Sequence, residues 1–159
     1  MITLVAAVSQ NNCIGKQGGL PWDIPADMAR MRAFTKHKVL IMGRNTWESI
    51  PEKRRPLPER TNVVITRDTT YSVPPGVECY ATIEDALAAH KGEDIIGFGG
   101  TRIFADMMPM SDALEITHVY QDVDACDAFF PPIDMTVWKE VSREDHDGFS
   151  FVRYERKSA

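Results

Sequence analysis

Pro25-Ala26-Asp27-Met28-Ala29-Arg30-Met31-Arg32-Ala33-Phe34-Thr35 contains no helix breaker after its first residue, and Val39-Leu40-Ile41-Met42 follows as an unbroken apolar run. Proline costs nothing at a first helical position, where its missing N–H has no partner anyway, so this stretch predicts a helix over 26–35 followed by a strand. The alternation extends outward. Ile2–Val8, Asn62–Thr66, Val77–Tyr80 and Asp94–Phe98 are further apolar, β-branched runs, while Ile83–Ala89 and Arg102–Met108 have helical character, with Pro109 as a stop. Strands alternating with helices predict an α/β sheet with mostly parallel strands. Ala113–Tyr120, Thr136–Ser142 and Phe149–Arg156 then follow with no helix between them, so the sheet should finish in antiparallel pairings. The expectation is one α/β domain over residues 1–159, with a central mixed sheet flanked by about four helices. Its long connections, Ser9–Trp22, Glu52–Arg60, Thr69–Gly76 and Asp122–Asp134, are where binding groups are expected.

Composition narrows the function classes. Apolar residues make up 43% and charged residues 26%, as in an ordinary soluble globular protein. A net charge of −5 argues against nucleic acid as the main ligand. No apolar run approaches the ~20 residues a bilayer demands, so no membrane partner is expected, and Met1–Val8 reads as a strand, not a signal peptide. Cys13, Cys79 and Cys126 are odd in number, far apart and without a CxxC pair. They suggest neither a disulfide framework nor a zinc site, and a reduced, cytoplasmic setting follows. The histidines at 37, 90, 118 and 146 are scattered, and Asp145-His146-Asp147 reads as a polar turn before the last strand, so no metal is expected.

Asp27 falls in the first helical turn, where an acidic residue is ordinarily just a solvated partner of the helix dipole. Its surroundings change that reading. Leu20-Pro21-Trp22-x-x-Pro25-x-Asp27 resembles the pterin-site segment of bacterial dihydrofolate reductases. The resemblance continues through Ile41-Met42-Gly43-Arg44-Asn45-Thr46-Trp47-Glu48-Ser49-Ile50 and Arg55-Pro56-Leu57-Pro58-x-Arg60-x-Asn62. It resumes at Phe98-Gly99-Gly100-x-Arg102-Ile103-Phe104 and Ile116-Thr117-His118, in the family's order over nearly the whole chain.

The resemblance implies an NADPH-dependent enzyme that reduces dihydrofolate, and a cleft that antifolate inhibitors would also enter. Asp27 would accept hydrogen bonds from the pterin, tied to the sheet by Thr117, with Leu20 and Trp22 completing the catalytic set. A carboxylate has two acceptor oxygens for an amidine-like pair of donors. Asp27 lies too far from pterin N5 in the family's geometry to deliver the proton, so its role is orientation and electrostatic promotion, with water as donor. Val5, Ala6, Met28, Met31, Ile50, Leu57 and Phe98 would form the apolar walls, each otherwise readable as core. Arg60 would pair with the glutamyl carboxylate, and Arg55 would contact the substrate peripherally.

For the cofactor, the resemblance implies two strand-to-helix junctions: Gly43-Arg44-Asn45-Thr46 and Gly99-Gly100-Thr101, with Arg102, Ile103 and Phe104 beyond. Glycine permits close backbone approach, and free N–H groups at a helix start favour anions. Neither junction is a GxGxxG fingerprint. Arg44 and Arg67, beside Thr66, would flank the adenosine 2′-phosphate and select NADPH over NADH. Ala7, Ile14, Gly15, Gly18, Gly19 and Leu20 would face the nicotinamide, with the loop Asn11–Leu20 as a mobile lid.

The chain also departs from the family pattern. The Glu52–Arg60 loop carries three extra residues. Cys126 stands where glycine is usual, in a loop (Asp124–Pro131) one residue longer, and Ala81 and Phe104 replace a common lysine and tyrosine. Three other readings compete: a pyrimidine reductase of riboflavin synthesis, a folate- or nucleotide-binding module without catalysis, and an RNA-binding protein using the Lys53–Arg60 patch. Asp27, Thr117 and Arg60 favour the folate substrate, and the net charge opposes RNA. A monomer is expected.

Overall fold

The apolar run at Val39 becomes a strand covered on both faces: Val39 and Ile41 enter one core cluster, Leu40 and Met42 the other. That is the demand of a parallel strand with helices above and below, and it explains why the run shows no polar alternation. The structure is a computed structural model describing residues 1–17 and 19–157. Among these, the order is β1 (Ile2–Ser9), β2 (Cys13–Gly15), α1 (Pro25–Thr35), β3 (Val39–Gly43), α2 (Arg44–Ser49), β4 (Thr61–Ile65) and β5 (Glu78–Tyr80). It continues with α3 (Ile83–Ala89), β6 (Ile95–Gly99), α4 (Thr101–Met107), β7 (Ala113–Val119), β8 (Ala128–Phe129), β9 (Trp138–His146) and β10 (Phe149–Arg156).

The main sheet runs β5-β4-β3-β6-β1-β7-β10-β9. Every pairing from β5 to β7 is parallel, and β10 and β9 join antiparallel, as the helix-free last third predicts. Ile83, Ala86, Ile103, Phe104 and Met107 bring α3 and α4 onto the face carrying Leu4, Ile41, Leu114 and Ile116. Trp47 of α2 and Phe34 of α1 cover the opposite face, with Val5 and Leu40.

The junction at Gly43 opens directly into α2, which covers Arg44–Ser49, the strand-to-helix step expected there. Two details differ from the expectation. β9 begins at Trp138 and reaches His146, because this edge strand is exposed and charged beyond its first residue and so shows no strand-like apolar pattern. Asp145 and His146 therefore belong to the strand, and the turn falls at Gly148, whose φ of +85° suits glycine.

The second difference concerns cysteine. Cys13 and Cys126 form a disulfide, contrary to the reading of the thiols as free, with Cα atoms 6.0 Å apart across 113 residues of sequence. The cause is topological. β1 and β7 are neighbours in register to their ends, Ser9 beside Val119, so the segments that follow start side by side. Those segments form a second small sheet, in which β2 pairs antiparallel with β8 through Cys13–Phe129 and Gly15–Ala128. Spacing along the chain carries no trace of this proximity. Cys79 is free and exposed.

Candidate active site

In an open α/β sheet, ligands bind beyond the carboxyl ends of the strands, where loops and helix starts converge. Here a cleft of about 1140 Å³ opens at that edge, large enough for more than one ligand of ordinary size. β1 contributes Val5, Ala6 and Ala7, β3 ends in it at Gly43, β4 leads into Thr66 and Arg67, and β6 delivers Phe98, Gly99 and Gly100. The helix starts add Asn45 and Thr46 with Arg44, and Thr101, Arg102, Ile103 and Phe104. From α1 come Asp27, Met28 and Met31, from the end of α2 and the loop before β4 come Ile50 and Leu57, and from β2 and the loop after it come Ile14, Gly15, Gly19 and Leu20. Gly18 lies outside the described residues.

Asp27 owes its position to Pro25, which opens α1 without a side-chain cap. The helix lies over β7, and Thr117 Oγ1 donates to Asp27 Oδ1 at 2.5 Å across 90 residues of sequence. Burial pushes the carboxyl pKa upward, while the Thr117 hydrogen bond and the nearby Arg30 charge pull it down; burial prevails. Thr117 does not line the main cleft but a small cavity behind Asp27. Trp22 is absent from both linings, and its indole N–H is buried with no acceptor among the described residues. A buried donor of this kind is normally satisfied by water or ligand.

The arginines separate. Arg60 donates from Nε to Thr35 Oγ1 (2.8 Å), from Nη1 to the Pro58 carbonyl (2.6 Å) and from Nη2 to the Arg32 carbonyl (2.5 Å). One of these bonds caps the Arg32 carbonyl in the last turn of α1. A guanidinium has five N–H donors, so two remain, the number a carboxylate takes in a bidentate pair. Arg60 itself is not on the cleft lining. Arg55 turns away, donating to the Trp47 carbonyl at 3.2 Å and lying over the Trp47 ring, and Arg54 reaches the cleft instead. The three extra residues in this loop conceal which of the adjacent arginines points inward.

The opposite end of the cleft suits a dinucleotide phosphate. Gly99 has φ of +120°, and a Cβ built there would stand 3.3 Å from the buried Phe104 ring; one at Gly100 would stand 3.3 Å from Thr46 Oγ1. Glycine at both positions thus lets the backbone pack this closely against Phe104 and Thr46 at the cleft wall. Arg44 and Arg67 both line this end. Arg44 is shared with Glu48 (2.9 Å) and Asp68 (3.2 Å) and lies over Tyr71, whereas Arg67 has no ion pair among the described residues. These residues fit NADPH. Ala81, noted as replacing a common lysine, lines the cleft, and sequence reading missed other lining groups, notably Lys16, Arg54, Thr82, Asp127 and Ala128. Only β2–β8 pairing brings the last two near, and no local pattern signals it.

Comparison with known proteins agrees with this geometry. The dihydrofolate reductase family profile matches residues 1–156. The chain is 44% identical to the dihydrofolate reductase of Neisseria meningitidis serogroup A over 162 residues, covering 98% of each. It is 33% identical to that of Bacillus subtilis, covering 100% of this chain and 96% of the relative. The solved dihydrofolate reductase of Enterococcus faecalis, complexed with NADP(H) and RAB-propyl, superposes with a TM-score of 0.88 at 30% identity, covering 99% of this chain and 97% of that one. By fold, cleft and sequence alike, the chain belongs to the dihydrofolate reductase family.

Proposed function

We propose that this chain reduces 7,8-dihydrofolate to 5,6,7,8-tetrahydrofolate with NADPH, supplying one-carbon metabolism. The observation that carries the reading is the Asp27–Thr117 pair, a carboxylate fixed at one end of a cleft whose other end is glycine-lined and flanked by arginines. When bound, NADPH supplies the hydride that goes to pterin C6.

This chain's residues do the rest. Thr117 occupies Oδ1 of Asp27 and so fixes the carboxylate plane for the pterin's paired N–H donors. Met28, Met31, Ile50 and Phe98 hold the flat rings and exclude water from them. The ionised Asp27 carboxylate favours a proton's arrival at N5 electrostatically, and the Trp22 indole N–H is suited to holding the water that carries it. The two Arg60 donors left without a partner among the described residues are assigned to the substrate's terminal carboxylate, which would have to reach beyond the cleft lining to meet them. Arg54 takes the peripheral place that the sequence gives to Arg55. Antifolates would occupy the same walls.

A monomer is proposed, as expected from the sequence. No helix among the described residues is long and apolar enough to cross a membrane. A cytoplasmic enzyme is proposed on the likeness to its relatives, since the Cys13–Cys126 disulfide removes the free-thiol argument for that setting.

The test is loss of NADPH absorbance on adding dihydrofolate, repeated with Asp27→Asn. The wild type should turn over, and the variant should lose roughly a hundredfold or more at neutral pH with little change in NADPH affinity. Absence of dihydrofolate-dependent oxidation by the wild type would reduce the chain to a binding module.

A further inference from the structure

One buried charged cluster has no part in that scheme. Glu115 on β7 is 7% exposed, and both of its oxygens accept charged hydrogen bonds: Oε2 from Arg30 Nη2 and Oε1 from Arg153 Nη1, each 2.7 Å. Arg153 Nε also pairs with Glu155 at 2.9 Å, and the Arg30 guanidinium lies 4.4 Å from the Phe151 ring centroid. Stability alone is a poor reason for such a set. Desolvating the charges offsets most of their attraction, and apolar residues of equal volume commonly serve as well or better.

Its location supplies a better reason. Glu115 and Thr117 are two apart on β7 and share a face, opposite Arg153 and Phe151 of β10. Asp27 and Arg30 are three apart on α1 and also share a face. Asp27–Thr117 and Arg30–Glu115 are therefore adjacent rungs between the same helix and the same strand. Between the rungs lies a cavity of about 20 Å³, lined by all four residues with Val5, Met31 and Phe34, room for one water.

We propose that Arg30, clamped by Glu115 and Arg153, is a positioning residue for Asp27: its fixed positive charge favours the ionised, pterin-accepting carboxylate, while Glu115 takes its hydrogen bonds and keeps the Asp27 oxygens free for substrate. This rests on the reading of Asp27 as the pterin anchor. The charged groups facing Asp27 are Arg30 on its own helix and Glu115 across on β7, with Arg153 behind Glu115; β1 presents only Val5 and its alanines. The Arg30 charge opposes the upward push that burial exerts on Asp27.

The arrangement makes two variants move in opposite directions. Arg30→Met removes a positive charge, so the Asp27 midpoint should rise, by about half to one pH unit for a partly exposed partner. Glu115→Gln removes the neutralising charge but keeps a hydrogen-bonding group, so the midpoint should fall. Arg30→Lys keeps the charge and should stay near wild type. Two readouts serve: the pH profile of kcat/KM for dihydrofolate, and the ¹³C shift of the Asp27 carboxyl titrated in the ligand-free protein, with thermal melting to show folding. Opposite shifts with lysine rescue support the inference. Coincident midpoints, shifts in one direction, or Arg30→Lys behaving as Arg30→Met overturn it. If Arg30→Met fails to fold, Glu115→Gln and Arg30→Lys still decide between the two. A wild type that does not oxidise NADPH with dihydrofolate refutes the function instead, and the carboxyl titration still reads the Arg30–Asp27 relation.

Discussion

Cys13 of β2 and Cys126, just before β8, join the two segments that pair in the small second sheet, across 113 residues of sequence. Constraining so long a loop in the unfolded chain stabilises the fold, in the entropic account, by up to ~4–5 kcal/mol, and ~2–4 kcal/mol is usual. Cys13→Ser, or reduction with excess dithiol, should therefore lower the melting temperature by roughly 5–15 °C in a protein of this size. Thiol trapping of the unreduced protein should label Cys79 alone. Labelling of all three cysteines, with an unchanged melting curve, would refute the bond. Because disulfides are rare in the cytoplasm, the same trapping on freshly lysed cells also tests where the enzyme works.

His90 sits between two carboxylates: Nδ1 meets Glu93 at 2.5 Å and Nε2 meets Glu78 at 2.8 Å, with Tyr80 also bonded to Glu78. Burial disfavours the imidazolium, but the hydrogen bonds to Glu93 and Glu78 outweigh it, so the His90 pKa is raised from its ordinary 6.5. Burial likewise works to raise Glu78, and the Tyr80 and His90 bonds outweigh it, leaving that pKa below its ordinary 4.5. The signs set a window. The histidine's contribution is full below pH 6.5 and is lost as pH rises through its folded value. The glutamate's is full above pH 4.5 and is lost as pH falls through its folded value. His90→Asn should thus cost most stability between about pH 4.5 and 6.5 and progressively less at higher pH. Melting temperatures of both proteins from pH 4 to 9 would check this, and a difference independent of pH would count against it.

At the cleft end proposed for the phosphates, Arg67 has no ion pair among the described residues, whereas Arg44 is shared between Glu48 and Asp68. Arg67→Ala should raise KM for NADPH by roughly tenfold, the loss of about 1.4 kcal/mol of charge-assisted hydrogen bonding, and leave KM for NADH nearly unchanged. An equal effect on both cofactors would remove Arg67 from the 2′-phosphate.

Gly99 cannot accept a side chain without disturbing the site, because its φ is +120° and the Phe104 ring in the way is 3% exposed and held in the core. Gly99→Ala should destabilise the fold by roughly 1–3 kcal/mol and weaken NADPH binding more than dihydrofolate binding. Calorimetry with each ligand separates the two. Unimpaired NADPH binding would show that the close approach is not needed.

Much of this protein is written locally. The buried run Val39–Met42, the breaker-free Pro25–Thr35 and the helix-free stretch after Met107 each declare their element through side-chain chemistry acting over a few residues. In the same way, the glycines at 43, 99 and 100 and the carboxylate at 27 mark where ligands belong once the resemblance supplies their register. The tertiary structure decided what depends on distant segments meeting. Short strands such as Cys13–Gly15 and Ala128–Phe129 have no periodicity to betray them, and their pairing alone closes the disulfide. Arg54 and Arg55 are chemically alike, and only the path of the loop separates the one facing the cleft from the one on Trp47. Asp27 becomes more than a helix-start acid because β7 places Thr117 and Glu115 beneath it, 90 and 88 residues further along. Local sequence sets which conformations are cheap, but the environment of a charge is set by what the whole fold packs around it.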